Sequence, residues 1–177
     1  CDGFYTPLPF APQAATLTPV PWFLSDAPLS FAAFDQGAGP ELIVGGGFNF
    51  GDGGELPRVA RWSANGWIRM GQGLSQSPSN GTQPDVRALA VFDDGSGPAL
   101  YAGGKFTLAD GQPANFLAKW DGSSWSEAAR GTDKRVTGLA VFDDGGGLEL
   151  FAAGELTRVG TRKDWTNQDL SIPANYV

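Results

Sequence analysis

Apolar residues in this chain occur in short runs separated by turns rich in glycine and aspartate, and none of these runs shows helical spacing. The runs ALAVF at 88–92 and LYA at 100–102 are apolar at every position, whereas a strand with one wet face alternates apolar and polar side chains. Short apolar runs bounded by such turns predict strands with both faces covered. We therefore predict an all-β fold.

The apolar runs belong to a repeat. Residues 86–107, VRALAVFDDGSGPALYAGGKFT, and residues 136–157, VTGLAVFDDGGGLELFAAGELT, are identical at 13 of 22 positions, and residues 32–49 carry an earlier copy. The copies are offset by 58 and then 50 residues, which aligns three phenylalanines: Phe34, Phe92 and Phe142. A period near fifty is typical of propeller blades or of a repetitive array.

Each copy has the pattern of a four-stranded meander. In the second copy we predict strands at 87–92, 99–103 and 116–120, a turn at 93–98, and a fourth strand from Trp125. Alanine and glycine in the first two strands fit a crowded position where backbones converge, because larger side chains would collide there. The sequence predicts β-propeller-type repeats of four-stranded antiparallel blades.

The repeat divides the chain into an N-terminal arm, 1–27, and three units at 28–85, 86–135 and 136–177. The third unit is truncated, which gives about two and a half blades. Propellers close with four to eight blades, so we expect the uncovered faces to be completed elsewhere. We favour a longer polypeptide over several copies that join their blades.

The arm is rich in proline and aromatic residues, which excludes helix and central strand and predicts an extended segment. We expect Trp22, Phe23 and Leu24 to lie against a blade or a neighbouring chain. Cys1 followed by a Pro-rich stretch is similar to the start of a mature bacterial lipoprotein, in which this cysteine is lipidated. The alternative is a chain boundary that falls on cysteine.

Glycine doublets and paired tryptophans carry a resemblance to a known family. The doublets end the second strand of the first two units, and the aromatics lie in the third and fourth strands: Gly45-Gly46, Gly103-Gly104, Trp62, Trp67, Trp120 and Trp125. This pattern resembles the kelch repeat, and FDDGSGPALYAGG…AKWDGSSW also resembles repeats of secreted bacterial propeller proteins and Rax2-like fungal cell-surface proteins. The resemblance covers 28–157 and implies a propeller. The third unit departs from it with Ala153-Gly154.

Charge and composition narrow the function classes. Twelve basic and nineteen acidic residues give a net charge of −7, and the basic residues are scattered, so we expect no nucleic-acid partner. No apolar stretch is long enough for a transmembrane segment. Histidine is absent and cysteine occurs once, which excludes Cys/His zinc sites and His-dependent triads. We expect no cofactor.

Acidic turns recur at the same place in every unit, led by Asp35, Asp93-Asp94 and Asp143-Asp144. Calcium binding and glycoside hydrolysis are the alternatives to a turn role. Asp-Gly is the preferred chemistry of tight hairpins, and evenly spaced acids do not converge on one bond, so we favour turns and assign no catalytic or metal-binding residue. The repeated tryptophans are interpreted as core aromatics rather than sugar-stacking residues.

Two insertions break the repeat, and function on a repeat scaffold concentrates in such segments. One, at 74–85, contains the sequon residue Asn80, and the other, at 161–171, contains four candidate binding residues: Arg162, Lys163, Asp164 and Trp165. The alternative for Trp165 is a loop residue folded onto the third blade. We expect a non-enzymatic extracellular or cell-surface scaffold that binds protein or glycan. The alternatives are a subunit of a surface filament or layer, assembled by strand donation from the arm, and a fragment of a carbohydrate-active enzyme.

Overall fold

The computed structural model describes residues 23–51, 54–63, 65–77, 81–143 and 145–159, together with the backbone of Ile172 and Pro173. These residues form an all-β structure of several antiparallel sheets, and no helix occurs in the described ranges. The predicted fold class is confirmed at this level.

The first unit contributes seven strands. In chain order, β1 to β7 are Pro28–Asp35, Pro40–Gly46, Phe50–Gly51, Gly54–Glu55, Val59–Ser63, Gly66–Arg69 and Leu74–Ser75. Four of them form an antiparallel meander in the order β1-β2-β5-β6, and β3 and β4 form a short hairpin between its second and third strands. The predicted four-stranded meander is therefore present in this unit.

The second unit repeats this arrangement. Strands β8 to β13 are Asp85–Asp93, Pro98–Lys105, Leu108–Ala109, Gln112–Pro113, Leu117–Trp120 and Trp125–Glu127. The main sheet has the order β8-β9-β12-β13, and both long hairpins carry a register shift at the same place, between Pro28 and Ser30 in β1 and between Val86 and Ala88 in β8.

The third unit is described in part. Strands β14 to β17 are Val136–Asp143, Leu148–Gly154, Arg158–Val159 and Ile172–Pro173. The first two form a two-stranded antiparallel sheet that matches β1-β2 and β8-β9 in length and register, including the shift near its start. The last two form a separate short pair.

The three main sheets pack face to face through side chains on alternate positions. Between the first and second sheets lies the largest core cluster, to which the first contributes Phe34 and Ile43 and the second Leu100 and Trp120. Between the second and third sheets, Tyr101 and Leu117 pack with partly buried leucines of β14 and β15. The second sheet is thus covered on both faces, which explains why its runs at 88–92 and 100–102 are apolar at every position.

The sheets are also joined along the chain by short antiparallel contacts. In each unit, a residue that follows the second strand of the main sheet pairs with a residue of the chain that precedes the unit. The three pairs are Gly51 with Leu24, Ala109 with Leu74, and Val159 with Thr132. In the middle case the contact extends into a three-stranded sheet, β11-β10-β7. The joining segments therefore follow the same repeat as the sheets.

Candidate interaction site

The outer face of the third sheet is open and largely apolar, and it carries one carboxylate, that of Glu149 opposite Phe142. Ala140, Phe142, Phe151 and Ala153 share this face, because each strand presents alternate residues and cross-strand pairs point the same way. Phe142 is 60% exposed, and its ring meets that of Phe151 edge to face, with centroids 6.3 Å apart. Such a contiguous apolar surface is typical of an interaction site.

The same positions are covered in the other two units. Phe34, which aligns with Phe142, is only 3% exposed in the core between the first two sheets. In the second unit, Phe92 and Tyr101 repeat the edge-to-face pair at 5.9 Å and pack against the third sheet. The open face therefore has the chemistry of a sheet-to-sheet core without a covering sheet among the described residues.

The opposite end of the row, on the first sheet, is apolar as well. Phe31 is 51% exposed there, and Leu42 on the same face is 36% exposed. Their equivalents in the second sheet, Leu89 and Leu100, pack into the first junction. Val44, which lies opposite Phe31 on this face, belongs to a separate core cluster around Phe48.

The acidic turns serve backbone geometry in all three units. Oδ1 of Asp35, Asp93 and Asp143 each accepts two backbone N–H groups at 2.7–3.0 Å, from glycines two and four residues further on. This is the side-chain capping expected of aspartate at a tight turn. All three carboxylates therefore stabilise hairpin turns.

Asp94 makes a different set of contacts, on the surface of the second sheet. Its Oδ2 accepts from Lys119 Nζ at 2.7 Å and from the Tyr101 hydroxyl at 2.9 Å, while Oδ1 accepts from Ser96. The hydrogen bond from Lys119, followed by those from Ser96 and Tyr101, holds the pKa of Asp94 well below its ordinary value. A carboxylate so stabilised as an anion is poorly suited to accept a proton as a general base.

Other carboxylates also bind backbone. Asp110 accepts the N–H groups of Gln72 and Trp125, at 2.6 and 2.8 Å. Asp121 caps the β12–β13 turn, where the backbone N–H groups of Ser124 and Ser123 lower its pKa to about 2. Within the described residues, no group of three or more His, Cys, Asp or Glu side chains is placed to hold a metal ion.

The repeated tryptophans pack in pairs within the sheets. Trp62 and Trp67 meet at 4.9 Å, and Trp120 and Trp125 meet at 5.4 Å between ring centroids. Both tryptophans of the second pair are buried in the first junction. The interpretation of these residues as core aromatics agrees with this packing.

Arg58 is a buried charged residue that the sequence analysis did not single out. Its Nη1 donates to the Gly47 carbonyl at 2.7 Å and its Nη2 to Gln83 at 3.3 Å, so it joins the end of β2 to the 74–85 insertion. Burial lowers its pKa, and the nearby charges of Asp26 and Asp85 oppose that effect. The only signal in the sequence is that Arg58 aligns with an apolar residue in the second unit.

The structure describes only some of the residues that were predicted to form sites. Leu24 pairs with Gly51 of its own chain, and Phe23 beside it is 67% exposed. The remaining candidates lie outside the described residues: Cys1, Trp22, Asn80, Arg162, Lys163, Asp164 and Trp165. The structure therefore places Leu24 against the first unit and leaves the two insertion sites as predictions.

Two further observations bear on classification. Within the described part of the chain, no helix has the length and apolar character needed to cross a membrane. Comparison of this chain with protein-family models, with curated proteins and with solved structures finds no match.

Proposed function

We propose that this chain is a non-enzymatic scaffold of β-propeller-type blades that works outside the cell or at its surface and binds a protein through the open face of its third sheet. The observation that carries the proposal is the exposure of Phe142 at a position where the first unit buries its equivalent, Phe34. Each large apolar side chain covered by a partner contributes about 1.5–3 kcal/mol. Two phenylalanines on one face therefore supply a useful share of a binding energy.

The chemistry of this face favours protein over glycan as the ligand. A sugar site combines an aromatic platform with several hydrogen-bonding side chains, whereas Phe142 and Phe151 share their face with the methyl groups of Ala140 and Ala153 and with one carboxylate, that of Glu149 opposite Phe142. The partner that fits best is another apolar sheet, as at the two junctions within the chain. Glycan binding through the insertion at 161–171 is the alternative, and loss of glycan-array binding in Trp165→Ala would favour it.

The use of the acidic residues supports a non-enzymatic role. The repeated aspartates hold turns, Asp94 is stabilised as an anion by Lys119, and Asp110 binds two backbone N–H groups. A carbohydrate-active enzyme would need two carboxyl groups that face one sugar bond. The described carboxylates are instead distributed along the row of sheets.

A subunit of a surface filament or layer is the second candidate. Both end faces are apolar, which favours this candidate. At each internal junction, faces equivalent to these two pack head to tail, and copies that stacked in the same way would form an open polymer. Fibres or rings that disappear on deletion of 1–27 would support assembly by strand donation from the arm.

Sedimentation velocity over a wide concentration range tests the leading proposal. The wild-type chain should self-associate weakly through its open face, and Phe142→Asp should remain monomeric at the same concentrations. The matched control is Leu148→Asp, which alters an exposed apolar residue on the opposite face of the same sheet. Equal behaviour of the wild-type chain and both variants would contradict binding through this face.

A further inference from the structure

The two internal junctions have the same register. Gly45 of the first sheet faces Val86 of the second, and Gly103 of the second faces Val136 of the third. In both pairs a Cβ atom on the glycine would lie 2.5 Å from Cγ1 of the valine. All four residues are buried. Each sheet therefore docks on the next in one defined position.

The two ends of the row depart from this register at matching positions. Pro28 of the first sheet stands where the next two sheets have valine, and Ala153 of the third sheet stands where the first two have glycine. Pro28 and Ala153 are both exposed in the single chain. Valine carries two carbons on its Cβ, whereas proline carries one, which its ring ties back to the backbone nitrogen. Proline therefore leaves space for the methyl group that a facing valine would exclude.

The apolar residues of the two end faces also match an internal junction. At the second junction, an edge-to-face aromatic pair packs with Leu139 and Leu150 of the third sheet. These leucines align with Phe31 and Leu42, the exposed residues on the outer face of the first sheet. The aromatic pair aligns with the two phenylalanines of the open face. Both halves of this junction are thus present at opposite ends of one chain.

The carboxylate of the open face is compatible with such a junction. Glu149 aligns with Glu41, which lies opposite Phe34 on the face of the first sheet that the second sheet covers. Glu41 pairs there with Arg61 of its own sheet, at 2.9 Å, and its side chain stays 25% exposed. A glutamate at this position therefore does not prevent one sheet from covering the next.

We infer that the protein partner of the open face is a second copy of this chain, which docks the outer face of its first sheet in the register of the internal junctions and sets its Pro28 against Ala153. The inference rests on the proposed function, for which it names the partner. Two different faces meet, so the interface is heterologous. The second copy continues the row of sheets, and its first sheet takes the place of a fourth.

Two variants that each damage one end test the pairing of faces. Phe31→Asp keeps the open face intact, and Phe142→Asp keeps the outer face of the first sheet intact. Each variant alone should associate at least about tenfold more weakly than the wild-type chain, because the new carboxylate would be buried without a partner. In sedimentation velocity, an equimolar mixture should form a 1:1 dimer through the one intact pair of faces.

The other outcomes separate this inference from the proposed function. A mixture that stays monomeric would overturn the inference. Wild-type association of Phe31→Asp alone, with Phe142→Asp monomeric, would overturn the inference and leave the proposed function standing, because the open face would then bind a surface other than the first sheet. Wild-type association of Phe142→Asp alone would overturn both.

A disulfide tests the register. At the first junction, a Cβ atom on Gly45 would lie 3.0 Å from Cβ of Val86, close to the roughly 3.5–4.5 Å that a disulfide spans. Cys1 is the sole cysteine, so all chains carry Cys1→Ser. Ala153→Cys is added to the variant that keeps the open face, and Pro28→Cys to the variant that keeps the first sheet. Oxidation of the mixture should give a disulfide-linked dimer.

The matched control replaces Ala153→Cys by Leu148→Cys. Leu148 is exposed on the opposite face of the same sheet, so its cysteine should cross-link at least about tenfold more slowly. Equal rates from the two positions would overturn the inferred register, because the disulfides would then report random encounters.

Discussion

Gly45 faces Val86 across the junction of the first two sheets, and a Cβ atom on Gly45 would lie 2.5 Å from Cγ1 of Val86. The second junction repeats this relationship at the same distance between Gly103 and Val136. Neither glycine has a left-handed backbone, so close approach and not conformation selects glycine here. The third unit has Ala153 at this position, on the face that no described sheet covers.

Gly45→Ala should destabilise the protein by about 1–3 kcal/mol, because an added methyl group overpacks the junction. The adjacent Ser30 hydroxyl, 2.6 Å from the added atom, can rotate away, but the branched Val86 cannot. In a double-mutant cycle, Val86→Ala should therefore lower the cost of Gly45→Ala. Urea unfolding measures both free energies.

The matched control for this prediction is Ala153→Gly in the third unit. It makes the reverse change at the aligned position, where no valine of the described residues faces it, and should alter the free energy of unfolding by less than about 1 kcal/mol. Wild-type stability of Gly45→Ala would show that the junction has room to spare and would contradict the packing argument.

Phe34 and Phe142 provide a second matched pair. Phe34→Ala should cost about 3–5 kcal/mol, because it removes a buried ring from the first junction. Phe142→Ala removes a ring that is 60% exposed and should cost less than about 1 kcal/mol. Urea unfolding of the two variants measures both losses in the free energy of unfolding. Equal losses would mean that another surface covers the outer face of the third sheet in solution.

The sequence predicted the main sheets well, because their strands are long enough for an apolar pattern to show. The all-apolar run of β8 indicated two covered faces, and the Asp93 turn was recognised from the chemistry of Asp-Gly hairpins. The glycine doublets were correctly assigned to a crowded place. The valine that faces each glycine, Val86 for Gly45 and Val136 for Gly103, lies some thirty to forty residues away and could not be identified from local spacing.

The joining strands and Arg58 were beyond the reach of such reasoning. Strands of two residues, such as β7 and β10, have no periodicity, and their pairing depends on how one sheet sits against the next. Burial of Arg58 depends on the Gly47 carbonyl and on Gln83 in the insertion, neither of which is near it in sequence. Propensity favours an exposed arginine, and tertiary contacts reverse that preference.

Arg58→Ala should destabilise the chain by about 1–3 kcal/mol, because it leaves the Gly47 carbonyl without its donor and removes buried packing. Gln83→Ala should cost less, since Gln83 is exposed. Hydrogen exchange gives the specific readout: the N–H groups at the start of β8, which follow the insertion, should exchange faster in both variants. Unaltered exchange there would show that Arg58 does not hold the insertion.

Tyr101 should ionise at higher pH than an ordinary tyrosine. Burial raises its pKa above the usual value of 10, and the hydrogen bond to Asp94 and the charge of that carboxylate raise it further. A raised pKa in the folded state means that this contribution to stability is complete below pH 10 and is lost as pH rises through the folded-state pKa.

Asp94→Asn removes the charge but not the burial, so the pKa of Tyr101 should fall while staying above 10. Ultraviolet absorbance of tyrosinate measures the shift, and Tyr101→Phe provides the baseline for the other two tyrosines. Superimposable titrations of the wild-type chain and Asp94→Asn would show that the carboxylate does not act on this hydroxyl.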